Sequence, residues 1–145
     1  MENLGVAFAI LGAAFAAMFA GMGSAKGVGT VGKSAAGVIT EDPGKFGRVL
    51  ILEILPGTQG LYGFLAAFMI MNNITVGMPL SQGLGLFAAS LPIAFAGLVS
   101  AIHQGRAAAA GCGLVAKRPE GLGQAVETYA VLALLISILL IGRAV

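Results

Sequence analysis

The sequence predicts an all-α membrane protein: two tandem transmembrane helical hairpins, four helices in all. Three observations predict it. Only 10% of the 145 residues are charged and 58% are hydrophobic, where a soluble domain carries about 25% charged residues. So few charges cannot cover a water-facing surface. Four apolar stretches follow one another, at residues 4–22, 49–71, 84–102 and 125–141. Finally, the two halves repeat. Ala20-Gly21-x-x-Ser24-Ala25 matches Ala96-Gly97-x-x-Ser100-Ala101 at an offset of 76, and Pro43 and Gly47 fall on Pro119 and Gly123 at the same offset. Beyond them Gly57-Thr58 falls on Glu127-Thr128 at an offset of 70, so the second half is six residues shorter before that point. The hairpins are placed at residues 1–78 and 79–145.

The first stretch is expected to be a retained helix, because Glu2 stands where a signal peptide carries basic residues. The first and third helices are expected to run on through residues 27–38 and 105–116, which are rich in Gly and Ala and contain no Pro. Small residues let helices approach closely where lipid removes the hydrophobic drive to associate. The second stretch holds Pro56, which has no N–H to donate and whose ring pushes on the carbonyl of Leu52. Gly57 follows, so the helix should weaken there. Pro92 in the third stretch reads as a simple kink. The fourth stretch is the shortest and needs residues 121–124 to reach the roughly 20 that cross a bilayer.

Orientation follows from the basic residues. Lys26, Lys33, Lys45, Arg48, Arg106, Lys117 and Arg118 lie around the loops joining helices one to two and three to four, and only Arg143 lies at the other end. Both long loops are therefore expected in the cytoplasm. The small net charge of +2 gives no ground for nucleic-acid binding, and the single Cys112 excludes an internal disulfide and a cysteine metal site.

Residues 27–34 spell the phosphate-loop pattern G-x-x-x-x-G-K-S. That chemistry needs a loop after a β-strand, where backbone N–H groups converge on phosphate. Here Gly/Ala-rich helix flanks the motif on both sides. It is read as glycine-mediated helix packing with two lysines facing the cytosol, and no direct nucleotide binding is expected.

The chemistry sits elsewhere. Glu127 lies at the start of the fourth apolar stretch. An ionised carboxylate in hydrocarbon is costly, so an intramembrane acid is a functional-site candidate by default. Around the break at Pro56, Leu55, Thr58, Gln59 and Tyr62 are spaced i, i+3, i+4, i+7 and share one helix face. That face offers a hydroxyl, an amide oxygen, a phenol and a backbone carbonyl freed by the break. Gln104, toward the cytoplasmic end of the third helix, is a further partner. One carboxylate with amide and hydroxyl oxygens suits a hard cation, and a single negative charge best balances a monovalent one. That points to Na⁺ or H⁺. His103 reads as an interface residue, and Tyr129, about 200° round the helix from Glu127, as packing elsewhere.

Leu55-Pro-Gly-Thr-Gln-Gly-Leu-Tyr-Gly63, Ser90-Leu-Pro-Ile-Ala-Phe95, Gln104-Gly105, Val126-Glu-Thr-Tyr-Ala130 and the Gly-Ser-Ala-Lys-Gly-Val-Gly run at 23–29 together resemble the duplicated proteolipid (c or K) subunit of bacterial V-type ATPases. The resemblance covers nearly the whole chain. It implies a non-catalytic rotor-ring subunit in the bacterial cell membrane, built with other copies of itself and surrounded by lipid. It also implies a stator membrane subunit beside the ring, central-stalk subunits at the cytoplasmic loops, and ATP hydrolysis elsewhere. It implies Na⁺ held by Glu127, Gln104, Gln59, Thr58 and the Leu55 carbonyl, with Tyr62 bonding the carboxylate. H⁺ is the alternative ion, and a structural proteolipid or small pore the alternative role. The chain departs from the pattern twice. The six-residue loss brings the cytoplasmic loop closer to Glu127 by roughly 9 Å. Glu53 stands where the sodium-type pattern carries Gln; it reads as a side chain near the cytoplasmic surface, a second ionisable group near the break, or an interface residue.

Overall fold

The computed structural model describes residues 3–118 and 129–145. It places helix α1 at Leu4–Glu41, α2 at Phe46–Ile54, α3 at Thr58–Asn72, α4 at Leu80–Lys117 and α5 at Tyr129–Ala144. Short 3-10 turns at Pro43–Lys45 and Leu55–Gly57 join α1 to α2 and α2 to α3. There is no strand among the described residues. Three rods, Leu4–Glu41, Pro43–Asn72 and Leu80–Lys117, are long and apolar enough to cross a membrane, and α5 is a shorter apolar helix. The chain is an integral membrane protein.

The two long helices bear out the expected extensions. Each has 38 residues, about 57 Å at 1.5 Å per residue. The hydrocarbon core is about 30 Å thick, so each projects well beyond it. The Gly/Ala stretches continue the helix because nothing in them stops it; α1 ends only where Asp42 turns extended and Pro43 follows. Residues 27–34 lie inside α1, so the phosphate-loop spelling forms no loop.

α1 and α4 run side by side in the same direction, backbone against backbone. A Cβ added at Gly12 would lie 2.8 Å from Phe87 Cα, and one at Gly23 would lie 2.6 Å from Leu98 Cα. Farther along, a Cβ at Gly105 would collide with Gly27 itself. Contacts this close leave no room for any side chain, and glycine is what the pairing requires there.

Two apolar clusters fill the bundle. One, toward the α3–α4 connection, gathers Ala16, Ala66, Ile70, Leu86, Ala89, Ile93 and Ile141 from α1, α3, α4 and α5. The other joins the projecting ends of α1 and α4 to α2 through Val31, Ala35, Val49, Leu52, Ala108 and Val115. Beyond it Asp42 caps the turn by accepting from Gly44 N at 3.0 Å and pairs with Lys45 at 3.2 Å. The Lys45 ammonium also donates to the Ala116 carbonyl at 2.8 Å, tying the α1–α2 turn to the end of α4. At the opposite end Gly77, at φ +78°, turns the chain from α3 toward α4. The outer faces carry Leu61, Phe64, Phe68, Leu132, Leu135 and Leu139 exposed, which suits lipid or a second membrane chain rather than water.

Pro92 is accommodated by a neighbour. Ser137 of α5 accepts a hydrogen bond from Ile93 N at 3.2 Å, just after the proline. Ser137 is fully buried, and its hydroxyl fastens α5 to α4.

Candidate functional site

The helix break falls where the sequence placed it. Residues 55–57 leave the α-helix for one 3-10 turn, because Pro56 cannot donate and Gly57 resists nothing. Pro56 is buried against α1, where a Cβ added at Gly27 would meet Pro56 Cβ at 2.7 Å. A serine on α1 secures the break. Ser24 Oγ accepts from Gly60 N at 2.7 Å and donates to the Gly57 carbonyl at 3.4 Å. The sequence shows Ser24 in the repeat and in the run at 23–29 but assigns it no partner; its place in Gly-Ser-Ala, level with a proline break on another helix, is the available signal. Replacing Ser24 with Ala leaves the Gly60 N–H without this acceptor, which costs about 1–3 kcal/mol. The purified protein should unfold at a lower temperature in Ser24→Ala, read by thermal melting in detergent.

The polar face assembles around that turn. Thr58 donates its hydroxyl to the Leu55 carbonyl at 2.9 Å and lies 3.4 Å from Gln59 Oε1. Gln59 is fully buried, and its amide nitrogen donates to Gln104 Oε1 on α4 at 2.6 Å. Gln104 is itself buried, at 8% exposure. Thus Leu55, Thr58, Gln59 and Gln104 form one continuous oxygen-rich cluster across α3 and α4. Carbonyl oxygens carry two lone pairs, so those already accepting one hydrogen bond can still ligate a cation. Tyr62 stands one turn farther along α3, half-buried, and packs against the first apolar cluster. Glu127, the shortened connection before it and residues 121–124 lie outside the described residues.

The neighbouring candidates resolve differently. His103 is exposed on α4, and Tyr129 is 77% exposed on α5, turned away from the bundle. Glu53 is half-buried on α2, and its carboxylate fills a notch left by Gly32, where a Cβ would lie 2.8 Å from Glu53 Oε1. Gly32 lies on the stretch of α1 beyond its apolar run, between Lys26 and Lys33.

A membrane chain that is all helix among its described residues, with a buried amide pair beside a broken helix, defines a class: small membrane proteolipids. A family model described as the ATP synthase C subunit matches residues 11–70 and 87–140. The chain belongs to the ATP synthase C-subunit family. It is 52% identical over 149 aligned positions to V-type sodium ATPase subunit K of Enterococcus hirae, covering 99% of this chain and 96% of that one. It is 46% identical to A-type ATP synthase subunit K of Methanocaldococcus jannaschii, over 90% of this chain but only 60% of that protein. It is 28% identical to the 16 kDa proteolipid of the V-type proton ATPase of Rattus norvegicus, over 77% of this chain and 72% of the relative.

Proposed function

We propose that this chain is the rotor-ring subunit of a V-type ATPase in a bacterial membrane, and that it carries Na⁺ across on Glu127. Residues 1–78 and 79–145 are its duplicated hairpins. Copies of the chain form the ring, a stator membrane subunit loads and unloads it, and central-stalk subunits grip the cytoplasmic loops. ATP is hydrolysed in partner subunits; this chain breaks no bond.

The observation that carries the reading is the buried Gln59–Gln104 bridge beside Thr58 and the Leu55 carbonyl. Four neutral oxygens gathered in one place, two of them on buried glutamines, are what a desolvated hard cation needs in exchange for its water. They supply no charge. Glu127 supplies one negative charge, which makes the loaded site neutral and lets it pass lipid cheaply. Tyr62 would bond the carboxylate from the next turn of α3. The resemblance to a relative named as a sodium ATPase subunit favours Na⁺ over H⁺.

Carbodiimides react with the protonated carboxyl, so an ion on Glu127 must slow them. In the assembled complex, labelling of Glu127 at fixed pH should fall severalfold as Na⁺ is raised. Equal rates with and without Na⁺ would assign the site to protons instead.

A further inference from the structure

The contact that joins the two hairpins has a second, outward-facing set of mates in the same chain. Where α1 meets α4, Gly12 lies against Phe87, Gly23 against Leu98 and Gly27 against Gly105. Carried by the repeat offset of 76, forward for α1 and back for α4, these pairs become Ala88 with Leu11, Val99 with Met22 and His103 with Gly29. All of those mates are exposed. Met22 and Val99 are 55% and 54% exposed, and a Cβ added at Gly29 would meet nothing within 4 Å. The outer flanks of α4 and α1 thus repeat the two faces that already fit each other inside the chain. Copies joined flank to flank make a head-to-tail contact, which closes into a ring when the rotation allows.

The same exchange reaches the helix break. Gln59 bonds Gln104 across the hairpins, and the repeat mates of that pair are Tyr129 and Val28. Gln59 is fully buried, whereas Tyr129 stands out from α5. Val28 lines a groove of about 480 Å³ between α1 and the broken rod, walled by Leu50, Ile54, Gly57 and Thr58 and containing Glu53. Among the described residues no cation pairs with Glu53; the ion pair there joins Asp42 to Lys45. A phenol suits such a place, because its ring is apolar and its hydroxyl seeks an acceptor. We propose that Tyr129 of a second copy seats in this groove and donates its hydroxyl to the Glu53 carboxylate, joining adjacent copies level with the oxygen cluster. The proposal rests on the reading of this chain as a ring subunit, and it gives Glu53 its role at the interface between copies.

Two measurements on the assembled ring test it. The first concerns the flanks. In a Cys112→Ala background, chains carrying Met22→Cys and chains carrying Val99→Cys, produced together, should give a disulfide-linked dimer under mild oxidation, and neither variant should give it alone. The second concerns the phenol. Tyr129→Phe and Glu53→Ala should each speed dissociation of the ring in dodecyl sulfate about tenfold or more, the weight of a hydrogen bond to a charged group. The double variant should dissociate no faster than either single one, because both remove the same bond. Glu53→Gln keeps an acceptor and should restore much of the lifetime. A ring that gives no mixed dimer, or single effects that multiply in the double variant, overturns the proposal and leaves the ring reading in place. Wild-type chains that migrate only as monomers on a native gel would overturn the ring reading itself.

Discussion

Glu127→Gln is expected to abolish Na⁺ uptake by the assembled complex while the ring still assembles. The substitution keeps the shape and removes the charge. A unit charge about 4 Å from a monovalent cation contributes about 4 kcal/mol at an effective dielectric constant near 20, or about a thousandfold in affinity. The cluster at Leu55, Thr58, Gln59 and Gln104 is neutral and offers nothing to replace it. Uptake of Na⁺ into vesicles should fall to background, and the ring should migrate unchanged on a native gel. Sustained uptake would remove Glu127 from the mechanism and leave the chain a structural proteolipid.

The second large effect is expected far from any charge. Gly105→Val should prevent the chain from accumulating as a stable membrane protein, because its Cβ would occupy the place of the Gly27 backbone. Neither partner can yield, since both are main chain inside 38-residue helices. Separating α1 from α4 would also unseat Ala101 and the Pro56 turn that pack at the same level. Overpacking of this kind costs about 3 kcal/mol or more. Gly113→Val is the control, since a Cβ there meets nothing within 4 Å. Yield in membranes and melting temperature in detergent should separate the two variants; equal stability would mean that the close approach of α1 and α4 does not hold the fold together.

Much of this was legible in the residues because it rested on local rules. Pro56-Gly57 dictated a break, and the break is there. The stretches at 27–38 and 105–116 lacked any stop signal, and helix runs through both. The shared face of Leu55, Thr58, Gln59 and Tyr62 followed from helical spacing alone. Spacing could not say which helix stands opposite. The direct amide bond between Gln59 and Gln104 depends on how α3 lies along α4, and the clasp of Ser24 on the break depends on how α1 lies along both. Glu53 shows the same limit. Spacing leaves its role divided, and only Gly32, 21 positions away on another helix, makes the notch that receives it. Glu127 itself lies outside the described residues, so its meeting with the cluster is a proposal resting on the residue types and on the relatives.

The one-turn break at Leu55–Gly57 also has a mechanical side. The rod from Pro43 to Asn72 is anchored at its far end, where Lys45 holds the end of α4. A lateral load applied to that outer end travels along an unbroken hydrogen-bond ladder until it reaches the 3-10 turn, where the ladder is interrupted and the rod is most compliant. The joint that yields first is thus the one that presents the Leu55 carbonyl and leads into Thr58, so a load applied outside the bilayer is felt first where two of the clustered oxygens are held.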